Sequence, residues 1–225
     1  MHIEPGLVAQ SKIGLSYVTA AGVAGYTLQH VAAAVRAQGA ASLALRSVIA
    51  TALVFCFFEV LPHYPVGVSE VHLILGSTLF LVLGLAPAAI GLALGLLLQG
   101  LFFAQFDLPQ YGMNVTTLLV PLFALQPLAK RVIAPGTAYV SLRYGQALAL
   151  STTYQAGIVG WVAFWAFYGR GFSMESLASV ASFGGAYMLV ILVEPLVDLA
   201  VLAAAKGLAG LRGSPLVERR LFETA

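Results

Sequence analysis

The strongest constraint on the fold is the uncharged run at residues 71–103, VHLILGSTLFLVLGLAPAAIGLALGLLLQGLFF. A single helix of this length would extend about 50 Å at about 1.5 Å per residue. The hydrocarbon core of a bilayer is only about 30 Å thick. Only LGLAP, near Gly84–Pro87, offers a turn within the run. We therefore predict two membrane helices joined there by a tight hairpin.

The composition of the whole chain indicates an integral membrane protein. Hydrophobic residues make up 60% of the sequence, charged residues 9%, and the mean hydropathy is +0.93. Soluble domains carry about 25% charged residues, so this chain has too little polar surface to cover a soluble globule. No polar segment is long enough to form a separate soluble domain. The single cysteine, Cys56, excludes an internal disulfide.

Hydropathy and turn-forming residues predict an all-α bundle of about seven transmembrane helices. The predicted spans are 12–35, 44–61, 70–86, 87–105, 112–129, 144–168 and 178–203. We expect one membrane domain over residues 1–225. It comprises an extracytoplasmic arm at 1–11, the helix bundle at 12–203 and a cytoplasmic tail at 204–225.

The distribution of basic residues predicts the orientation of the chain. With the N-terminus outside, Lys12 and Arg170 are the basic residues on the outer side. The other basic residues then face the cytoplasm: Arg36, Arg46, Lys130, Arg131, Arg143, Lys206, Arg212, Arg219 and Arg220. This asymmetry follows the positive-inside rule. We expect a multi-pass protein of the inner membrane with an uncleaved N-terminus outside and the C-terminus in the cytoplasm.

The outward-facing start, MHIEPG, contains the elements of a metal chelate. A terminal amine has a pKa near 8 and can lose its proton to a metal ion. The Met1 amine, the His2 backbone nitrogen and the His2 Nδ1 can close a five-membered and a six-membered ring on one ion. Such a planar nitrogen set, completed by a fourth nitrogen, suits Ni(II) or Cu(II). Alternatively, the terminus is disordered and His2 has no function.

Three further histidines are candidates for the fourth nitrogen ligand. His72 lies at the outer mouth of the third predicted span, on the same side as His2, and His63 lies in the preceding loop. His30 is deep in the first span, where we expect it to pack against other helices. An outer histidine can equally be a surface or capping residue.

Several segments together resemble one protein family. They are the MHIxxG start, the Pro-Val-to-His loop YPVGVSEVHL, LLLQGLFF and YGMNVTTLLVPL. Over roughly residues 1–130 they are similar to the CbiM/NikM family, the cobalt- or nickel-specific membrane subunits of energy-coupling-factor transporters. The later spans match only in hydropathy.

The resemblance implies a seven-helix fold whose N-terminus tucks into the outer mouth of the bundle and binds the transported Co²⁺ or Ni²⁺. Carried over by position, the ligands are Met1, His2 and His72, with Asn114 and Gln99 in supporting roles. Glu70 is a further supporting candidate beside His72. The implied partners are a coupling transmembrane subunit, two ATPase subunits and, in some systems, a small accessory membrane protein. No resident cofactor and no nucleic-acid partner are expected, and membrane lipid surrounds the bundle.

The sequence departs from the family pattern at a few positions. The spacing between Pro65 and His72 is one residue longer than usual, Glu4 and Pro5 follow MHI, and Thr117 replaces a second Asn. These departures bear on the choice between cobalt and nickel, which the sequence leaves open, more than on the three main ligands.

Two alternatives use other features of the chain. Glu194 and Asp198 share a helix face in the last span, where they could serve a membrane enzyme, a proton relay, a partner contact or half of an acidic metal site. Small residues at four-residue spacing could instead serve an assembly subunit: Ser16, Ala20 and Ala24, and Gly91 and Gly95. The sequence contains no GxSxG, HExxH or GxxxxGK[ST] motif, so we expect no enzyme, and ATP hydrolysis must come from separate subunits.

Overall fold

Helices account for most of the structure. The computed structural model describes residues 3–223, apart from the side chain of Ala209. The α-helices in this part are α1 Gly14–Gln38, α2 Ala40–Glu59, α3 Gly76–Leu83, α4 Leu85–Phe102, α5 Tyr111–Val132, α6 Tyr144–Arg170, α7 Met174–Met188 and α8 Glu194–Gly207. Between α2 and α3, the strands β1 Tyr64–Val66 and β2 Ser69–Val71 form an antiparallel hairpin.

Five helical segments of the described chain are long and apolar enough to cross a membrane. They are Ala40–Glu59, Leu85–Phe102, Gln105–Val132, Tyr144–Arg170 and Met174–Gly207. The prediction of an all-α membrane bundle is therefore confirmed, whereas the count of seven spans is not. The helix α1 has the length but is not among the five segments, and α3 has only 8 residues.

The third predicted span, 70–86, is wrong as a continuous helix. Its first part is β2 and an extended segment, and α3 begins only at Gly76. Leu75, immediately before α3, adopts a left-handed conformation with φ 55°. An apolar run does not distinguish a buried strand from a helix by periodicity alone, which explains the error. The expected break near Gly84–Pro87 lies at Gly84, the single residue between α3 and α4.

The last predicted span, 178–203, is interrupted. After α7, residues Leu189–Leu192 form a 3₁₀ turn, and α8 begins at Glu194. Pro195, in the first turn of α8, has no N–H to donate and its ring clashes with the preceding turn of a continuous helix. Glu194 therefore lies at the N-terminus of a helix, which favours a negative charge. In an uninterrupted helix over 178–203, both carboxylates would instead lie near the C-terminus, where the helix dipole disfavours a negative charge.

The small residues of the fourth predicted span pack inside the bundle. A Cβ at Gly91 would lie 2.3 Å from the Ala50 Cβ, and one at Gly95 would lie 2.6 Å from the Val54 Cγ1. Only glycine permits this close approach of α4 to α2. These residues serve internal packing and leave no small-residue face for a partner at this position.

Tertiary contacts define two ends of the bundle. At one end, Ile3 pairs with Ser69. At the other end, the buried Arg46 donates from one guanidinium nitrogen to the Leu83 carbonyl at 2.8 Å and to the Glu218 Oε2 at 3.0 Å. The segment from Ser69 through α3 to Leu83 thus connects the two ends, and the tail after α8 packs back onto the bundle through Glu218.

Candidate metal site

The N-terminal segment extends the β1–β2 hairpin at the first of these ends. Ile3 forms an antiparallel bridge with Ser69, and the Glu4 N–H donates to the Val68 carbonyl at 3.2 Å. The Ile3 side chain is fully buried. The chain therefore runs beside β2 from residue 3 onward. Met1 and His2, two of the predicted ligands, lie outside the described residues.

Asn114 holds this segment from the side of α5. The Ile3 N–H donates to the Asn114 Oδ1 at 3.0 Å, and both residues are buried. The family resemblance implied a supporting role for Asn114, and this bond identifies the backbone group that Asn114 contacts.

A tight turn follows and directs the chain toward the end of α6. The Leu7 N–H donates to the Glu4 carbonyl at 3.1 Å, with Pro5 and Gly6, at φ +84°, in the central positions. Proline followed by a residue with positive φ is typical of a type II turn. Leu7 is then buried, and its carbonyl lies so close to Gly169 that a Cβ there would be 2.1 Å away. The arm predicted at residues 1–11 is thus packed against the bundle from Ile3 onward.

The hairpin that carries His72 has a two-residue turn. Val66 pairs with Ser69, which leaves Gly67 and Val68 as the turn. Gly67 has φ +63°, and a Cβ there would lie 2.2 Å from the Ser179 carbonyl oxygen of α7. The turn therefore requires glycine both for its backbone conformation and for its contact with α7.

His72 and Glu70 form a pair at the end of β2. The His72 Nε2 lies 3.0 Å from the Glu70 Oε2, and the His72 side chain is buried while that of Glu70 is 27% exposed. A carboxylate only accepts hydrogen bonds, so a neutral His72 ring carries its hydrogen on Nε2 and its lone pair on Nδ1. Phe58 contacts the ring edge-on, with centroids 5.3 Å apart. Glu70 and Phe58 thereby fix the orientation of the imidazole, as partners of metal-ligating histidines do.

The structure brings His63 into contact with His72, which we did not predict from the sequence. Their rings stack with centroids 4.8 Å apart and planes inclined by 13°. The register explains this contact, because Tyr64 pairs with Val71 and His63 and His72 are the next residues outward. Recognition of the two-residue turn at Gly67 would have revealed it.

Two other residues named in the sequence analysis, Gln99 and His30, lie in helices. Gln99 is buried in α4. His30 packs edge-on against Tyr26 at 4.7 Å and stacks near Phe123 at 5.9 Å, as expected of a packing residue. Within residues 3–223, no group of three His, Cys, Asp or Glu side chains could hold a metal ion.

Glu194 and Asp198 are both fully buried between helices. Within the described chain, their hydrogen bonds join them to neutral side chains of α3 and α6, and neither carboxylate reaches the bundle surface. This burial contradicts their use as a contact face for a partner.

A comparison with models of known protein families shows to which family the chain belongs. The model of the CbiM family, described as the cobalt uptake substrate-specific transmembrane region, matches residues 2–209. The match covers nearly the whole chain and extends well past the segments that carried the resemblance in the sequence. The chain belongs to the CbiM family. No curated protein and no solved structure matches it.

Membership in the CbiM family implies the membrane component of a cobalt-uptake transporter. The family is one of transport components and not of enzymes. The five apolar helical segments make it a multi-pass membrane protein.

Proposed function

We propose that this protein is the substrate-binding membrane subunit of an energy-coupling-factor transporter, and that it captures Co²⁺ or Ni²⁺ with the Met1 amine, His2 and His72. One observation carries the proposal. The Ile3 backbone is fixed between Ser69 and the Asn114 side chain, so the terminal dipeptide starts beside the strand that leads to His72.

The reach of two residues is sufficient for this chelate. Two extended residues span at most about 7 Å, and neighbouring strands lie about 4.8 Å apart. The amine, the His2 amide nitrogen and the His2 imidazole supply three nitrogen atoms, and the imidazole of His72 supplies the fourth. Nitrogen ligands of this kind suit late divalent first-row metals.

The neighbouring side chains would position these ligands. Glu70 orients the His72 ring through Nε2, which presents Nδ1 to the ion. Asn114 holds the arm through Ile3, and Gln99, buried in α4, is proposed to support the same end of the bundle. The affinity of nitrogen sites rises from cobalt to nickel, so a preference for cobalt would have to come from the geometry imposed by this shell.

The chain requires partners to drive uptake. Its sequence has no nucleotide-binding P-loop. We propose that two ATPase subunits and a coupling transmembrane subunit drive transport, with a small accessory membrane protein in some assemblies. The asymmetry of basic residues supports an N-terminus outside the inner membrane, a C-terminus in the cytoplasm and seven passes through the bilayer.

The decisive experiment moves the terminal amine without changing the bundle. A Gly–Ser pair placed between Met1 and His2, or a tag before Met1, separates the amine from the imidazole and breaks the fused chelate. Isothermal titration of the purified protein with Co²⁺ and Ni²⁺ should show loss of tight binding for both extended forms. His2→Ala and His72→Ala should behave alike.

His30→Ala serves as the control, because His30 packs against Tyr26 and Phe123 away from the hairpin. It should bind metal as the native protein does. Mass spectrometry should show an intact, unmodified Met1. An extended protein that still binds metal with native affinity would exclude the terminal amine as a ligand.

A further inference from the structure

A second polar cluster lies in the interior of the bundle, away from His72. Glu194 and Asp198 are four residues apart in α8, and both are fully buried. Glu194 begins α8 directly after the interruption of the last span. Interrupted membrane helices are a common location for ion sites, because the break frees polar groups within the apolar bundle.

Neutral side chains surround both carboxylates. The hydroxyls of Ser77 and Thr78, on α3, donate to Asp198. The Ser151 hydroxyl and the Gln155 amide, on α6, donate to the Glu194 Oε2 at 2.5 Å each. The ion pairs found within residues 3–223 involve other acidic residues, and none joins a Lys, Arg or His to this pair. Two negative charges that share the contact with Ser77 in a membrane interior repel each other and are very costly, so at least one positive charge is required.

The number of hydrogens that can be donated to the carboxylate oxygens indicates where this positive charge lies. The Ser77 hydroxyl oxygen lies 2.8 Å from the Asp198 Oδ2 and 3.4 Å from the Glu194 Oε1. A hydroxyl carries one hydrogen, and the shorter contact identifies Asp198 as its acceptor. Among the described contacts, the Glu194 Oε1 then receives no hydrogen. A proton on this oxygen, or a cation beside it, completes the cluster.

Further unpartnered oxygen atoms are buried around Glu194. The Gln155 amide contacts Glu194 through its nitrogen, while its Oε1 has no hydrogen-bond partner among the described residues. The hydroxyls of Tyr154 and Tyr187 are also buried without a partner there, and both lie within electrostatic range of Glu194. Apart from the Gln155 amide nitrogen, the atoms that contact the pair are oxygens, which hard cations prefer and nitrogen-seeking transition ions do not.

We propose that Glu194 and Asp198, with Ser77 and Gln155, form a second cation site that holds one positive charge at the Glu194 Oε1. The occupant is H⁺ or Na⁺, two cations that satisfy the same oxygen atoms. The groups facing the pair are Ser77 and Thr78 from α3, Ser151, Tyr154 and Gln155 from α6, and Tyr187 from α7. The site is independent of the chelate proposed at the N-terminus.

Two measurements on the purified full-length protein separate the occupants. Infrared spectra in H₂O and D₂O detect the carbonyl band of a protonated, buried carboxylic acid. Thermal unfolding in NaCl or choline chloride at equal ionic strength detects stabilisation by Na⁺. If H⁺ is bound, the native protein shows the acid band and Glu194→Gln loses it. If Na⁺ is bound, NaCl raises the melting temperature of the native protein by a few degrees and Glu194→Gln abolishes the rise.

Glu194→Gln should fold, because its amide nitrogen can donate to Ser77 as a protonated acid would. Glu175→Gln is the matched control, since Glu175 is an exposed acid at the start of α7, and it should retain the native response. A native protein with neither an acid band nor stabilisation by Na⁺ would overturn the proposal. So would an acid band or Na⁺ response that persists in the double variant Glu194→Gln, Asp198→Asn.

Discussion

The hydrogen bond between Ile3 and Asn114 offers a quantitative test of the docked N-terminal arm. Asn114→Ala removes the acceptor of a buried N–H at 3.0 Å. Leaving a buried donor unsatisfied costs about 1–3 kcal/mol. Since about 1.4 kcal/mol corresponds to a tenfold change, the ratio of docked to undocked arm should fall roughly 5- to 150-fold.

The free-energy cost of losing this hydrogen bond affects both the dissociation constant for metal and the stability of the fold. A bond that holds the arm in both the metal-free and the metal-bound protein raises the dissociation constant only as far as its loss undocks the arm in the metal-free protein. The remainder lowers the stability of the fold. We expect the dissociation constant for Co²⁺ or Ni²⁺ to rise about tenfold, within the range set by the 1–3 kcal/mol penalty, together with a lower melting temperature.

Isothermal titration and thermal unfolding on the same preparation measure both parts. Thr117→Val is a matched control one turn along α5, because the Thr117 hydroxyl donates only to the Met113 carbonyl of its own helix among the contacts found. It should leave metal affinity unchanged. If Asn114→Ala changed neither the dissociation constant nor the melting temperature, the docked arm would not depend on this bond.

Three other outcomes can be measured directly. His63→Ala removes a stacked ring worth about 0.5–1.5 kcal/mol and should weaken metal binding about two- to tenfold in titrations, far less than loss of a ligand. Gly67→Ala should lower the melting temperature more than Gly136→Ala, since both glycines have positive φ but only the former would place a Cβ against the Ser179 carbonyl. Equal losses would refute the clash. Reporter fusions after residues 136 and 172 should indicate cytoplasm and periplasm respectively, and the reverse pattern would reject the proposed orientation.

The regular helices could be predicted from the sequence because length and apolarity decide them. Predicted spans such as 112–129 and 144–168 agree with Tyr111–Val132 and Tyr144–Arg170 within a few residues. Hydropathy indicates whether side chains prefer a membrane to water, but it does not indicate the conformation of the backbone. It therefore failed where the backbone departs from a helix, at 69–75 and 189–193. Pro195 was a visible signal for the second break.

Two residues of the candidate site could be named from the sequence. His72 and Asn114 came from the resemblance, and both lie at the end of the bundle where Ile3 docks. The contact of His63 with His72 was missed because it depends on strand register, which the predicted helix at 70–86 did not contain. The donors to Glu194 were missed because they come from α3 and α6, whose rotation about their axes follows from packing and is not encoded in any local pattern.

Because the arm packs against the bundle from Ile3 onward, a deletion and an extension of the N-terminus are not equally good tests of the proposed metal ligands. Ile3 pairs with one edge of β2 while β1 pairs with the other. Deleting residues 1–3 would therefore remove the proposed ligands and this backbone bridge together, and a loss of metal binding would have two explanations. An extension placed before His2 leaves Ile3, its bridge to Ser69 and its bond to Asn114 in place.

The two changes should thus differ in stability while agreeing in metal binding: the deletion lowers the melting temperature and the extension does not. If the extension destabilised the protein as much as the deletion, loss of metal binding could no longer be attributed to the displaced amine.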